Sequence, residues 1–271
     1  MIRWLTIAAN FFTKLIRQRD LIFNFAARDL RSRYVGSAMG FFWAIVHPLA
    51  LLVTYSLVFS GILNIRLDKY PQINDNFAIF LFCGLLPFLY FQDTLLRGCE
   101  SVVQQSNLLR KTAFPSEILP LTIVLSNLVT HLVGLAILVG FLLYFGTLGW
   151  ALLLLPLVLL LTALFCLGLG WIAAALQVFL RDTLQLLSVG LTFWFWLTPI
   201  FYRLEDVPGW LRTWLGANPM RFVIEAYRSI LLENRMPPGD HLLLLAVWTA
   251  VAFLLGGFIF RNTKRDFVDV L

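Results

Sequence analysis

Three arginines within six residues, Arg28, Arg31 and Arg33, are the side chains of this chain best suited to ion chemistry. Guanidinium forks match the oxygens of a phosphate or diphosphate. The same residues have a second reading as a basic collar at a membrane surface, drawn to anionic lipid by about 1 kcal/mol each. The two readings can coexist. Catalytic chemistry finds little support. The sequence has no GxxxxGK[ST], CxxC, HExxH or GxSxG pattern, so it has no P-loop for ATP and no familiar metal or nucleophile motif. His47, His131 and His241 lie far apart, which argues against a metal site or a catalytic dyad. The carboxylates are scattered as well.

The arginines lie on an amphipathic segment. Over Leu21–Val35, Phe23, Ala26, Ala27, Leu30 and Tyr34 recur at helical spacing on one face, with Asn24, Arg28 and Arg31 on another. This pattern predicts a helix lying at the headgroup level of a bilayer. It runs directly into an aromatic-headed apolar stretch. Of the 271 residues, 60% are hydrophobic and 13% charged, with a mean hydropathy of +0.83. A soluble domain of this size could not cover so much apolar surface, so the chain is read as an all-helical integral membrane protein. In that setting the formal charge of +6 does not imply a nucleic-acid partner. Cys83 and Cys166 sit in apolar runs and read as small hydrophobes. Arg3, Lys14, Arg17 and Arg19 interrupt the N-terminal apolar residues, so no cleavable signal peptide is expected.

Six spans are predicted, at Ser37–Ile62, Phe77–Leu96, Ile118–Phe145, Ala151–Leu180, Gln185–Tyr202 and Leu242–Phe260. The linker Gly146–Gly149 makes the third and fourth an antiparallel hairpin. Pro87 and Pro156 are expected to kink or break their helices. With both termini in the cytoplasm, fourteen of the twenty-one basic residues fall on that side, as the positive-inside rule requires. Residues 1–36 form the cytoplasmic interfacial segment, 37–260 the six-span bundle and 261–271 a cytoplasmic tail. Within 203–241, Pro208 and Pro219 each stand where a helix starts, and two short helices joined at Gly216–Asn218, dipping back into the bilayer, are expected.

Several further residues have a functional and a plain structural reading. Val102–Lys111 is expected to be a short helix on the cytoplasmic side, and Gln104, Gln105, Asn107, Leu108, Arg110 and Lys111 either dock a soluble partner or form a solvated loop. Among the aromatics, Phe42, Trp43, Tyr55, Trp194 and Trp196 are candidates to line a conduit, because aromatic faces stack on sugar rings. Trp and Tyr also favour membrane interfaces without any further role. Asp93 and Arg97 are expected to pair on one helix face. Arg221, Glu225 and Arg228 are expected to form a small ion network or, with Trp210 and Trp214, an external gate.

Taken as a set, RDLRSRYVGSAMGFFWAIVHPL, CGLLPFLYFQDTL, the turn FLRDT, FWLTPIFY, ANPMRFVIEAYR and the ending RNTKRDFVDVL resemble the membrane subunits of ABC-2 type polysaccharide exporters, which move O-antigen, capsule or teichoic acid polymers across the inner membrane of bacteria. The resemblance runs over nearly the whole chain. It implies a homodimer with a conduit between the protomers, meeting along the first and fifth spans, and two copies of a separate P-loop ATPase that binds ATP and Mg. No cofactor would be bound by this chain itself. The substrate would be a polysaccharide on undecaprenyl diphosphate, with Arg28, Arg31 and Arg33 at its entrance and a coupling helix within Gln104–Lys111. The alternatives are an ABC-2 exporter of a lipid or small drug, a membrane enzyme of glycan assembly, and a secondary transporter.

Overall fold

The computed structural model describes residues 18–33, 35–63, 77–111, 114–202, 204 and 207–271. Tyr34, the first seventeen residues and residues 64–76, between the first two expected spans, lie outside that set. Among the described residues the structure is helical, without strands. Its α-helices are α1 (Arg19–Ser32), α2 (Trp43–Tyr55), α3 (Phe77–Gln104), α4 (Ser106–Lys111), α5 (Ile118–Tyr144), α6 (Leu155–Phe179), α7 (Thr183–Leu197), α8 (Gly209–Gly216), α9 (Pro219–Leu231), α10 (Gly239–Thr263) and α11 (Phe267–Val270).

Among the described residues, five helical stretches are long and apolar enough to cross a membrane: Gly40–Phe59, Phe77–Lys111, Ile118–Tyr144, Trp150–Phe179 and Gly239–Thr263. The expected fifth span, Gln185–Tyr202, appears as the 15-residue α7, about 22 Å long against a hydrocarbon thickness of about 30 Å. Its apolar run continues past Leu197, but Pro199 lacks a backbone donor and the helix stops before it.

The bundle is organised around α3, which packs against α2, α5, α6, α7 and α9. Its residues from Phe77 to Phe88 are all buried. Of the two outcomes expected at Pro87, a break does not occur: the helix stays continuous through it, held by these neighbours. The expectation of a kink or break at Pro156 is corrected, because Pro156 lies in the first turn of α6, after a 3₁₀ turn at Trp150–Leu154. Proline there removes only an amide that would lack an intrahelical partner anyway.

The predicted hairpin between α5 and α6 forms. Gly146 takes φ +67°. Its amide donates to the Leu143 carbonyl, and that of Thr147 to the Leu142 carbonyl, closing α5 in a Schellman motif. Along the packed pair α6–α10 the backbones almost touch. A Cβ on Gly256 would fall onto the Gly168 carbonyl, and one on Gly168 would fall onto the backbone of Ala252. Thr249 Oγ1 donates to the Leu161 carbonyl across the same seam, at 3.2 Å. Small residues are what allow helices to pack this closely. By contrast, α2 and α7 are thinly covered: Leu191 is the one fully buried residue of α7, while Phe42, Trp43, Val53 and Leu57 of the first span are 46–60% exposed.

Candidate functional site

Three polar assemblies stand out against the apolar bundle. The first ties α1 to α3 and α5. Asp29 accepts from Arg33 Nη2 at 2.8 Å, from Ser126 Oγ at 2.6 Å and from Arg97 Nη2 at 2.7 Å. Arg33 Nη2 also donates to Ser126 Oγ. Arg97 continues to Asn127 Oδ1 at 3.4 Å, and Asn127 Nδ2 donates to Thr94 Oγ1. One carboxylate thus holds two guanidinium groups, each a charge-assisted contact. The expected pairing of Asp93 with Arg97 is not the one that forms: Arg97 reaches Asp29 instead. The three arginines also part company. Arg33 is held by Asp29, whereas Arg28 and Arg31 face outward, Arg28 with its guanidinium 4.2 Å above the Phe25 ring. Between the apolar face of α1 and α5 lies an open groove of about 810 Å³ lined by Ile22, Phe23, Ala27, Leu30, Leu125 and Leu132 among others.

The second assembly is α4, at the end of α3. The expected single helix Val102–Lys111 is divided, because α3 runs to Gln104 and Gln105 separates it from α4. Leu109 is buried, Gln105 and Leu108 are half-buried, and Gln104, Asn107, Arg110 and Lys111 are exposed. The helix is therefore pinned by one leucine and shows a polar, basic face. Beside it lies α11. The chain returns into α5 at Glu117, which Lys264 Nζ reaches at 3.2 Å.

The third assembly joins α7, α8 and α9. As expected, helices start just after Pro208 and Asn218. Asn218 Oδ1 accepts from the Met220 amide at 3.0 Å, capping α9, and from the Trp194 indole at 2.9 Å. Its Nδ2 donates to Thr198 Oγ1 at 2.9 Å. Arg228 is almost wholly buried. It donates to the carbonyls of Pro199 at 2.9 Å and Ile200 at 2.8 Å, with its guanidinium 3.7 Å above the Phe80 ring. The three-residue ion network expected here is thus divided. Arg221 pairs with Glu225 at 2.7 Å, and His241 Nδ1 lies 3.0 Å from the other Glu225 carboxylate oxygen, while Arg228 turns inward to carbonyls. Deeper in the bundle His131 Nε2 lies 2.8 Å from Tyr227 Oη.

The aromatic candidates also separate. Phe42, Trp43 and Trp196 are exposed, Trp196 stacked on Phe201 at 5.4 Å. Tyr55 is half-buried, 6.1 Å from the Phe59 ring. Trp194 is turned into the bundle, its ring edge-on to Phe91 at 5.1 Å. On α8, Trp210 and Trp214 are 73% and 78% exposed. No group of three or more histidine, cysteine or acidic residues suited to a metal occurs among the described residues. Reasoning from spacing missed Ser126, Asn127 and Thr94. They are ordinary residues within apolar runs, and only the packing of α1 against α3 and α5 gives them meaning.

This arrangement of apolar helices, with a surface helix at one end, a short polar helix on the longest span and paired helices at the opposite end, defines a multi-pass membrane protein. The chain belongs to the ABC-2 type transporter family, whose model matches residues 21–232. It is 30% identical over 259 residues to the O-antigen export system permease protein RfbA of Myxococcus xanthus, covering 94% of this chain and 97% of that protein. A protein of the same name from Klebsiella pneumoniae is 26% identical over 258 residues, covering 93% and 95% of the two chains. The polysialic acid transport protein KpsM of Escherichia coli is 26% identical over 247 residues, covering 88% and 91%.

Proposed function

We propose that this chain is the permease subunit of an ATP-driven exporter that carries an O-antigen-like, lipid-linked polysaccharide across the bacterial inner membrane. It works as a homodimer with two copies of a separate P-loop ATPase, which holds ATP and Mg. In this reading both termini are cytoplasmic, α7 serves as the short fifth of six spans, and α8 and α9 are external re-entrant helices. The observation that carries the reading is the near end-to-end likeness to proteins named as O-antigen export permeases. The geometry of α4 supports the coupling part. A short helix at the end of the most enclosed span, with Leu109 inside and Gln104, Asn107, Arg110 and Lys111 outside, can pass a push into the bundle.

The thinly covered α2 and α7 are where a second protomer would sit, with Phe42, Trp43, Tyr55, Trp194 and Trp196 toward the conduit. Arg28, Arg31 and Arg33 lie at the entrance, where a diphosphate would meet them. Trp210, Trp214, Arg221 and Glu225 lie at the exit. Purification from native membranes in mild detergent, followed by mass spectrometry, tests the reading. A stoichiometric P-loop ATPase is expected. Its absence under conditions that preserve a known ABC complex refutes the coupling role. Neutralising Arg28 and Arg31, which leaves the Asp29–Arg33 pair in place, should lower polysaccharide export, and unchanged export would remove them from the entrance.

A further inference from the structure

We infer that the C-terminal segment Lys264–Leu271 is the positioning element of α4, fixing how its polar face is presented. The inference rests on the reading of α4 as the ATPase contact proposed above. A six-residue helix cannot hold its own shape, because one turn fixes too many dihedrals for too few hydrogen bonds. What packs behind α4 therefore decides its orientation.

Three elements remote in sequence converge there. Phe267 is 1% exposed although Asp266 and Val268 beside it are exposed. Its ring lies edge-on to Phe260 at 5.3 Å and 6.0 Å from Phe179, which joins the ends of α10 and α6. From this anchor α11 touches both α4 and α6, and Leu271 packs against the core while Val270 remains exposed. The chain beyond α4 is fastened as well. Lys264 Nζ lies 3.3 and 3.2 Å from the two carboxylate oxygens of Glu117, and the Trp171 indole donates to the Glu117 carbonyl at 3.1 Å. The tail thus braces α4 through α11 and fastens the return into α5 through Lys264, while Leu109 anchors α4 from its own side. A push on the exposed face of α4 is then passed to α6 and α10 rather than absorbed by rotation of the short helix.

Hydrogen exchange on the purified full-length permease, without any ATPase, tests this directly. Phe267→Ala should speed exchange in the peptide covering Ser106–Lys111 about tenfold, the change that 1.4 kcal/mol of docking corresponds to. Exchange over Phe77–Phe88 should stay unchanged, and Phe267→Leu should restore most of the protection. Unchanged exchange in α4 overturns the inference. So does faster exchange spread equally over Phe77–Phe88, which would make the tail a general part of the fold. Retention of the co-expressed ATPase is then measured on the same variants. Wild-type protein that retains no ATPase refutes the proposed function while leaving the exchange result standing. Weaker retention by Phe267→Ala, rescued by Phe267→Leu, is the expected result, and undiminished retention despite a loosened α4 overturns the link between tail and partner.

Discussion

Asp29→Asn keeps the size of the side chain and one accepting oxygen but removes the charge that holds Arg33 and Arg97. Both ion pairs are partly shielded, with side chains 18–33% exposed. Each is therefore worth about 1 kcal/mol, the upper end for exposed pairs. The short Ser126 contact contributes up to about 1 kcal/mol more, part of which the amide retains. The sum is about 2–3 kcal/mol, or a shift of roughly 30- to 150-fold in the equilibrium that docks α1 on α3 and α5. Hydrogen exchange of the α1 amides in lipid nanodiscs reads this equilibrium, and protection should fall by that factor. Arg33→Gln should lower it in the same direction. Arg28→Gln should leave it unchanged, because Arg28 faces outward over Phe25. A double-mutant cycle between Asp29→Ala and Arg97→Ala should give a coupling energy above about 0.5 kcal/mol. If Asp29→Asn leaves α1 as protected as in the wild type, or if Arg28→Gln exposes it equally, the assignment of Asp29 as the hub of the network is wrong.

Arg228→Met leaves the carbonyls of Pro199 and Ile200 without their donor. It should lower stability by about 2–4 kcal/mol, read as a fall in melting temperature in detergent, and Arg228→Lys should recover part of it because an ammonium cannot fork between two carbonyls. Gly256→Ala should cost about 1–3 kcal/mol by overpacking the α6–α10 seam. Gly140→Ala, where the added carbon meets nothing within 4 Å, should not lower stability, because alanine is the better helix former inside α5. Asn218→Ala removes a helix cap worth about 1 kcal/mol together with the Trp194 and Thr198 contacts, so exchange at the first turn of α9 should rise while that of α10 stays the same.

The parts of the fold governed by local rules could be read from the sequence. Apolar runs located the long helices, glycine marked the α5–α6 turn, and Pro208, Asn218 and Pro219 marked the starts of α8 and α9. Errors arose where tertiary contacts outweigh local preference. Pro87 breaks nothing because α3 is enclosed. Pro156 is a helix start because the residues before it form a 3₁₀ turn. Spacing suggested Asp93 as the partner of Arg97, since residues four apart share a face, but a charge 68 positions away in sequence supplies the closer oxygen. For the same reason, the three arginines of α1 look equivalent in the sequence, and only the packing of α1 separates Arg33 from Arg28 and Arg31.

The seam between α6 and α10 has a mechanical consequence. Where side chains separate two helices, rotamer changes can absorb small displacements, and packed helices shear past one another in steps of an ångström or two. Between Gly168, Ala252 and Gly256 no side chain intervenes to take up such a step. The two helices must then move as one body, which in a working transporter makes them the stator. Any opening has to come from elements that can still change neighbours.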